Sequence, residues 1–216
     1  MKNYISDNVQ QVDNIQHKQV NEDLKWVIDT KQGNANTFSC IIEKYQRPVY
    51  NMCYHMLKNT AEAEDAAQEV FLRAYTKLDS YDEQRKFSSW LFSIASHYCL
   101  DQLKRPRRSL TPLDDLLAEY YLSSNPAIQP ETILLGKEMV TEVRRLLDVL
   151  PPHYRAAVIL KYWQSMPYQE IAHILDTTVA SIKSNLFQAR RKMAKAAKQQ
   201  DMLMMVQPGG MYFLGA

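Results

Sequence analysis

Apolar residues recur every three or four positions along most of this chain, and the clearest pattern lies near its C-terminal end. On a helix starting near Val179, one narrow apolar stripe contains Ile182, Leu186, Ala189 and Met193. The opposite side carries Ser184, Phe187, Gln188, Arg191 and Lys195. A shorter apolar face precedes this helix, formed by Ile171, Ala172 and Leu175. Two short helices joined by a tight turn predict a helix-turn-helix, whose second helix enters the DNA major groove.

The turn between these helices has suitable residues. Asp176, Thr177 and Thr178 supply turn and N-cap chemistry before Val179. Asp176 stands where such a turn usually has glycine. We expect it to adopt a left-handed conformation, which Asp tolerates better than most residues.

The second helix is strongly basic. No acidic residue occurs between Thr177 and Gln200. The cationic residues there are Lys183, Arg190, Arg191, Lys192, Lys195 and Lys198. A stripe of this kind neutralises DNA phosphates, and this electrostatic contribution dominates nucleic-acid affinity. Basic residues also complement the dipole at a helix C-terminus, so charge alone leaves an ordinary solvated helix end as the alternative. The preceding helix and turn favour a reader of duplex DNA.

The rest of the pattern predicts an all-α protein with two small helical domains joined by a flexible linker. The expected divisions are a mobile tail (1–20), a first domain (21–108), a linker (109–130), the helix-turn-helix domain (131–198) and an apolar tail (199–216). In the first domain, helices are predicted over 21–31, 37–57, 60–78 and 90–105. The second is either a helix pair or one helix kinked at Pro48. Thr60 is the predicted N-cap of the third, and Pro106 ends the fourth.

Composition narrows the class of protein. Only 5 of 216 residues are glycine, which fits an all-α fold. Cys40, Cys53 and Cys99 are widely spaced and form no CxxC pair, so buried thiols are expected rather than a disulfide framework or a zinc site. No apolar run approaches the roughly 20 residues that span a bilayer, and the N-terminus has no signal-peptide core, which predicts a cytoplasmic protein without membrane insertion.

No constellation in the sequence suggests catalysis. A Gly-rich phosphate loop, a metal-ligand cluster and a nucleophile with its base are all missing, and the five histidines are scattered. We therefore expect no enzymatic activity, no cofactor and no metal.

The predicted helix over 60–78 has an unusual outer face. Its core side contains Ala67, Val70, Phe71, Ala74 and Leu78. Opposite lie Asp65, Gln68, Glu69 and Leu72, an exposed leucine among acids and an amide. A solvated face with one stray leucine explains this pattern. A docking face for a basic groove or a coiled coil explains it as well.

Two separated segments together resemble one family. The strings DAAQEVFLRAYTKLDSY and FSSWLFSIASHYCLDQLKR, then a linker and LLDVLPPHYRAAVILKYWQSMPYQEIAHILDTTVASIKSNLFQARRKM, are similar to the extracytoplasmic-function (ECF) group of bacterial RNA polymerase sigma factors. The resemblance covers roughly residues 20–198 in the family's order. It implies a transcription initiation factor that binds core RNA polymerase, directs it to promoter DNA and helps melt the minus-ten region. An anti-sigma factor is a further partner that the family implies.

The resemblance also implies residue roles in the first domain. The clamp helices of the polymerase largest subunit would be contacted by Asp65, Gln68, Glu69 and Leu72. The flap of the polymerase is a second contact that the resemblance implies. Residues 80–105 would open and read the minus-ten box, with Tyr81, His97, Lys104 and Arg105 as DNA contacts. Tyr81 is the expected stacking partner of an extruded base. Trp90 is better explained as a core aromatic. His97 stands where relatives commonly have Asn.

In the second domain the implied readers of the minus-thirty-five box coincide with the outward face derived above. Lys183, Ser184, Phe187 and Gln188 would contact base edges, and Arg190 and Arg191 would hold phosphates. Asn185 and Gln188 stand where relatives often carry Arg, so the target box should differ from theirs. Gln favours adenine edges.

Two segments and one rival function complete the expectations. The stretch 109–136 carries acids and no base, so it is either a solvated tether or an imitation of nucleic-acid charge. The apolar tail is either frayed or docked. The rival function is a stand-alone helix-turn-helix regulator with an N-terminal interaction domain, which would bind its operator without core polymerase.

Overall fold

A computed structural model describes residues 22–105 and 142–206, and the side chains of the last helix as far as residue 199. The predicted tail over 1–20, the linker over 109–130 and the end of the chain beyond Val206 lie outside the described residues. Within these ranges the regular structure is helical, as predicted. We number the helices α1 (22–31), α2 (Thr37–Leu57), α3 (Thr60–Thr76), α4 (Phe87–Lys104), α5 (142–148), α6 (Pro152–Tyr162), α7 (Tyr168–Ile174) and α8 (Val179–Val206).

The first domain consists of α1 to α4. Gly33, with φ of 100°, ends α1 because glycine adopts this backbone conformation without a steric penalty. The predicted helix over 37–57 is one continuous helix that contains Pro48, not a pair.

Three predicted helix ends in this domain were wrong. The N-cap of α3 is Asn59 rather than Thr60, because the Asn59 side chain accepts a hydrogen bond of 2.9 Å from the Glu62 amide. α3 stops at Thr76, and a 3-10 turn follows over Leu78–Ser80. α4 starts at Phe87, three residues before the predicted start.

The core of the first domain is the seam between α2, α3 and α4. The fully buried aliphatic and sulfur side chains there include Ile41, Met52, Met56, Val70 and Leu91. Cys53 and Cys99 are buried as expected, whereas Cys40 is partly exposed, which corrects the prediction for that residue. A hydrogen bond with the Cys53 thiol and burial raise the pKa of Cys99, so it stays an unreactive thiol.

The second domain consists of α5 to α8. Pro152 occupies the first turn of α6, where its missing N–H costs nothing. α7 and α8 form the predicted helix-turn-helix. α8 runs to Val206, eight residues beyond the predicted end of the domain at Lys198.

The two domains pack against each other. Arg155 of α6 is 5 % exposed and donates a hydrogen bond of 2.8 Å to the Met56 carbonyl at the end of α2. Beside it, the His55 ring lies 5.1 Å from the Trp163 ring. At the edge, Lys58 pairs with Asp148 at 2.7 Å. This contact positions the helix-turn-helix over α4.

Candidate nucleic-acid and polymerase interfaces

The turn of the helix-turn-helix has the predicted chemistry. Asp176 has a φ of 49°, the left-handed conformation expected at this position. The Thr178 hydroxyl accepts a hydrogen bond of 3.1 Å from the Ser181 amide, so Thr178 caps α8. Together these residues fix the angle at which α8 leaves α7.

α8 buries its apolar stripe and exposes its polar side. Ile182, Leu186 and Ala189 are buried against α6 and α7, and Met193 packs at the edge of this core. The residues predicted to contact DNA point outward: Lys183, Ser184, Phe187, Arg190 and Arg191 are exposed, and Gln188 is partly exposed. Phe187 keeps 54 % of its surface exposed, under the Arg191 guanidinium at 5.9 Å. An exposed phenylalanine beside cations suits contact with thymine methyl groups in a major groove.

The outer face of α3 is acidic and partly apolar. Asp65 and Gln68 are exposed, and Leu72 keeps 58 % of its surface exposed. Glu69 pairs with Arg73 at 2.7 Å, so its charge is partly compensated within the helix. These residues form one continuous outer face, because i, i+3 and i+4 positions of a helix are neighbours.

Sequence reasoning missed Tyr75 on this face. Tyr75 keeps 45 % of its surface exposed and its ring packs edge-on against Phe38 at 5.1 Å. Its position three residues after Leu72 was the available signal. The apolar part of the α3 face therefore contains two large side chains rather than one.

Tyr81 does not present its ring to a nucleic acid in this structure. It is 5 % exposed, and its ring packs against Phe87 and Trp90, each at 5.4 Å. Its hydroxyl donates a hydrogen bond to the Arg85 carbonyl. Burial, followed by the charges of Asp23, Asp82 and Glu83, raises the pKa of Tyr81 to about 12. The predicted stacking role thus requires Tyr81 to leave this aromatic cluster.

The other predicted minus-ten contacts lie on the exposed side of α4. The His97 ring pairs with Asp176 of the second domain at 3.1 Å. Lys104 pairs with Asp101 at 2.9 Å, and this hydrogen bond lowers the pKa of Asp101. Arg105 is exposed at the end of the helix. Trp90 packs against the core, in agreement with its interpretation as a core aromatic.

Three further residues join this surface, and sequence reasoning did not single them out. Lys86 pairs with Glu170 of α7 at 2.9 Å, and the Ser89 hydroxyl donates to the same carboxylate at 2.8 Å. The Arg85 guanidinium contacts the His173 ring. We call Arg85, Lys86, Ser89 and His97 the α4 polar surface. In the sequence, this surface was indicated only by the basic pair that precedes Phe87, Arg85 and Lys86.

A cavity of about 410 Å³ lies beside the α4 polar surface, between the two domains. Its wall includes Asp23, which accepts hydrogen bonds of 2.6 Å from both Lys44 and Tyr45. Burial and the hydrogen bond to Asp23 raise the pKa of Tyr45 well above its usual range, so this hydroxyl remains a donor.

The described ranges contain neither a helix suited to crossing a membrane nor a group of side chains that could hold a metal ion.

Comparison with known proteins places both domains in one family. Two family profiles match the chain, Sigma-70 region 2 over residues 41–109 and Sigma-70, region 4 over residues 141–193. The chain is 31% identical over 186 residues to the ECF RNA polymerase sigma factor SigW of Bacillus subtilis, covering 79% of this chain and 94% of SigW. It is 34% identical over 159 residues to the ECF RNA polymerase sigma factor SigM of the same species, and the alignment covers 73% of this chain and 93% of SigM. For the ECF RNA polymerase sigma-E factor of Escherichia coli K12 the identity is 30% over 167 residues, and the alignment covers 74% of this chain and 86% of that factor.

Solved structures show the same fold. CnrH, in complex with the cytosolic domain of CnrY, aligns with a TM-score of 0.62 at 18% identity and covers 82% of this chain and 98% of CnrH. The sigma factor RpoE from Bartonella quintana, in complex with the anti-sigma factor NepR, aligns with a TM-score of 0.56 at 17% identity. This alignment covers 74% of this chain and 96% of RpoE.

These matches define a class and a family. The two profiles together define a sigma factor, a class of transcription initiation factor. The chain belongs to the ECF sigma factors of bacterial RNA polymerase. Its function is to direct RNA polymerase to promoters. Since both domains match, the stand-alone regulator is not favoured.

Proposed function

We propose that three separate faces divide the work of this sigma factor. The outer face of α3 binds core polymerase, the α4 polar surface with Lys104 and Arg105 binds the minus-ten region, and the outer face of α8 reads the minus-thirty-five box. The observation that carries this proposal is α8, which buries one apolar stripe and exposes cationic, amide and aromatic side chains together. The domain limits proposed with it are 21–108 and 131–198, joined by a linker over 109–130.

The α3 face suits a basic, elongated partner such as the clamp helices. Asp65 and Gln68 supply a charge and an amide at the rim, and Leu72 with Tyr75 supplies exposed apolar surface beside them. An exposed leucine and tyrosine with polar neighbours form the usual composition of a protein interface, an apolar centre within a polar rim. The flap of the polymerase is proposed as the partner of the second domain.

The minus-ten role is supported by the chemistry of α4. Lys86, Lys104 and Arg105 supply cations for the strand backbone, and His97 supplies a ring that donates or accepts hydrogen bonds. Melting requires capture of an unstacked base. Tyr81 can serve in that capture if strand binding releases it from Phe87 and Trp90.

The minus-thirty-five role divides α8 between two kinds of contact. The base edges are contacted by Lys183, Ser184, Phe187 and Gln188. The phosphates are held by Arg190 and Arg191, which fix the register of the helix on the DNA.

No covalent chemistry is proposed for the protein. It works in the cytoplasm, and a cytoplasmic anti-sigma factor or the cytoplasmic part of one is its proposed regulator.

The docking assignment is tested by pull-down with purified core polymerase. D65A combined with Q68A should reduce binding by about tenfold or more, because both side chains lie at the proposed interface. E43A, which removes an exposed acid from α2 rather than from α3, is the matched control and should bind normally. Unchanged affinity of the double variant would refute the assignment of the α3 face.

Run-off transcription tests the function as a whole. The full chain with core polymerase should initiate from a subset of a promoter library, and the chain alone should not occupy those promoters tightly. An operator bound tightly without polymerase would favour the stand-alone regulator.

A further inference from the structure

The cavity between the two domains has the size of a small-molecule site. Its volume is about 410 Å³, and ligand sites in proteins usually measure about 300–1,000 Å³. Its wall is formed by α1, α2, α4 and the segment that joins α6 to α7. The apolar part of this wall consists of Pro48, Phe92, Met166 and Pro167. The rest of the wall is polar or charged, so the cavity suits a ligand that has both kinds of surface.

One ion pair lies deep in the cavity wall. Asp23 pairs with Lys44 at 2.6 Å, and their side chains are 7% and 23% exposed. The Tyr45 hydroxyl donates to the other Asp23 oxygen at 2.6 Å, and Ser88 in turn makes a hydrogen bond with Tyr45. Burying charges is costly unless they are paired and hydrogen-bonded. This network therefore fixes one carboxylate and one ammonium group in place beside the cavity.

A second ion pair lies nearer to the solvent. Lys86 pairs with Glu170 at 2.9 Å, and their side chains are 45% and 25% exposed. Ammonium and carboxylate groups each have more hydrogen-bonding positions than one partner uses, so both pairs can also bind a ligand. A ligand with a single charge would meet a like charge at each pair. A ligand with a separate ammonium and carboxylate can meet an opposite charge at both.

Pro48 adds a backbone acceptor to the same wall. Proline has no N–H, so the Lys44 carbonyl cannot receive the usual i+4 hydrogen bond within α2. Lys44 and Pro48 both line the cavity. A ligand that carries an N–H donor can supply the hydrogen bond that the proline removes from the helix.

The segment between α6 and α7 forms a preorganised wall. Ser165 has a φ of 52°, a conformation that costs free energy in a residue other than glycine. Two contacts hold the next residue: the Met166 amide donates to the Leu160 carbonyl at 3.1 Å, and the Lys161 ammonium donates to the Met166 carbonyl at 3.2 Å. Because the wall is already fixed, a ligand would not have to order it on binding.

We propose that this cavity binds a short zwitterionic peptide, of the size of a dipeptide, that carries an apolar side chain. Its ammonium group pairs with Asp23, and a peptide N–H donates to the Lys44 carbonyl. Its carboxylate pairs with Lys86. The side chain lies against Phe92 and Met166. The bound peptide touches both domains and so adds to their attachment. The proposal is independent of the proposed function, because it assigns no contact with DNA or polymerase.

Isothermal titration calorimetry of the full chain with L-alanyl-L-phenylalanine tests the proposal. We expect one peptide per chain, with a Kd on the order of 0.1 mM. The N-acetylated peptide lacks the ammonium and the C-terminal amide lacks the carboxylate. Each should bind at least about tenfold more weakly, since each loses a charge-assisted hydrogen bond. Equal affinity for the three peptides, or no binding of any, would overturn the proposal.

The variant K86M tests where the carboxylate binds. It should bind the free peptide and the C-terminal amide about equally, because it lacks the group that distinguishes them. K77M removes a lysine from an exposed position after α3 and is the matched control, which should keep the tenfold difference. A K86M variant that still prefers the free carboxylate would refute the assignment of Lys86.

The variant Q164W tests the location of the site without changing a charge. Gln164 is a partly exposed residue of the cavity wall, and a tryptophan there should fill the cavity and abolish peptide binding. Q46W, at an exposed position of α2, is the control and should bind as the wild type does. Circular dichroism verifies that both variants are folded. Undiminished binding by folded Q164W would place the peptide elsewhere and overturn the proposal. Run-off transcription without peptide tests the proposed function separately.

Discussion

His55 lies in the contact between the domains as a buried, neutral side chain. It is 5 % exposed, and among the described residues neither ring nitrogen has a hydrogen-bond partner. Burial, followed by the charge of Arg144, lowers the pKa of His55 from 6.5 to about 4. A charged imidazolium would face a guanidinium here with little water, so the native contact favours the neutral form.

The free energy of unfolding should therefore fall as the solution is acidified from about pH 6.5 to pH 4. In this window the unfolded chain binds a proton at His55 and the folded chain does not, so the folded state loses up to roughly 1.4 kcal/mol per pH unit, about 3 kcal/mol in all. H55L should remove this contribution and retain full stability at pH 7, because no hydrogen bond is lost among the described residues.

Urea denaturation at several pH values measures the effect as the difference between the wild type and H55L. H153L, at an exposed histidine of α6, is the matched control and should keep the slope of the wild type. Parallel pH profiles of the wild type and H55L would contradict the assignment of a depressed pKa.

The outward side chains of α8 should separate into two kinds by their effect on promoter choice. Q188A should relax the preference at one base position, at a cost of about 1–3 kcal/mol, because the proposed function assigns Gln188 to a base edge. R191A should weaken initiation on all promoters alike, since a phosphate contact carries no sequence information. Transcription from a library randomised in the upstream box distinguishes the two. Uniform loss with Q188A would mean that Gln188 touches only the backbone.

Helix α3 depends on a single capping side chain. The Asn59 side chain accepts a hydrogen bond of 2.9 Å from the Glu62 amide. Asn36, the residue before α2, has a helical backbone conformation, and its side chain makes no capping hydrogen bond. N59A should lower the free energy of unfolding by about 1 kcal/mol, and N36A by much less. Thermal unfolding followed by circular dichroism compares them, and equal losses would show that the cap contributes nothing.

Sequence patterns located elements well and their ends less well. The apolar stripe of α8 and the left-handed Asp176 could be predicted because each depends on local periodicity or local backbone sterics. The start of α4 was missed because Phe87 lacks a capping side chain before it and is held by packing on Tyr45 and Tyr81 instead. Packing between distant residues leaves no local signal.

At the scale of the whole molecule, Arg155 connects the domains from within. Its guanidinium donates to the carbonyls of Leu147, Leu150 and Met56, at 2.8 to 3.1 Å, and the last of these belongs to the other domain. R155K should destabilise the protein by about 2–5 kcal/mol, because lysine cannot reach three carbonyls and leaves buried acceptors unpaired.

R191K, at an exposed arginine, is the control and should change stability by less than about 0.5 kcal/mol. Urea unfolding measures both variants. A loss with R155K as small as that with R191K would show that the domains are not held by this side chain.

The contact between the domains was beyond prediction from sequence. Ser89 and Glu170 are 81 positions apart, and Arg155 and Met56 are 99 apart. Each residue has an ordinary local environment when taken alone: a serine early in a helix, a glutamate in the first turn of another, an arginine on an apolar helix. The burial of Tyr81 was not predicted for the same reason, since it comes from packing against Phe87 and Trp90 and from no pattern around Tyr81 itself.

Asp176 meets two requirements that oppose each other. Glycine would relax its left-handed backbone by roughly 1 kcal/mol, yet it would remove the carboxylate that pairs with His97. A glycine at this corner would therefore ease the turn of the second domain and weaken the attachment of that domain to α4, so the stability of the turn and that of the interdomain contact would change in opposite directions.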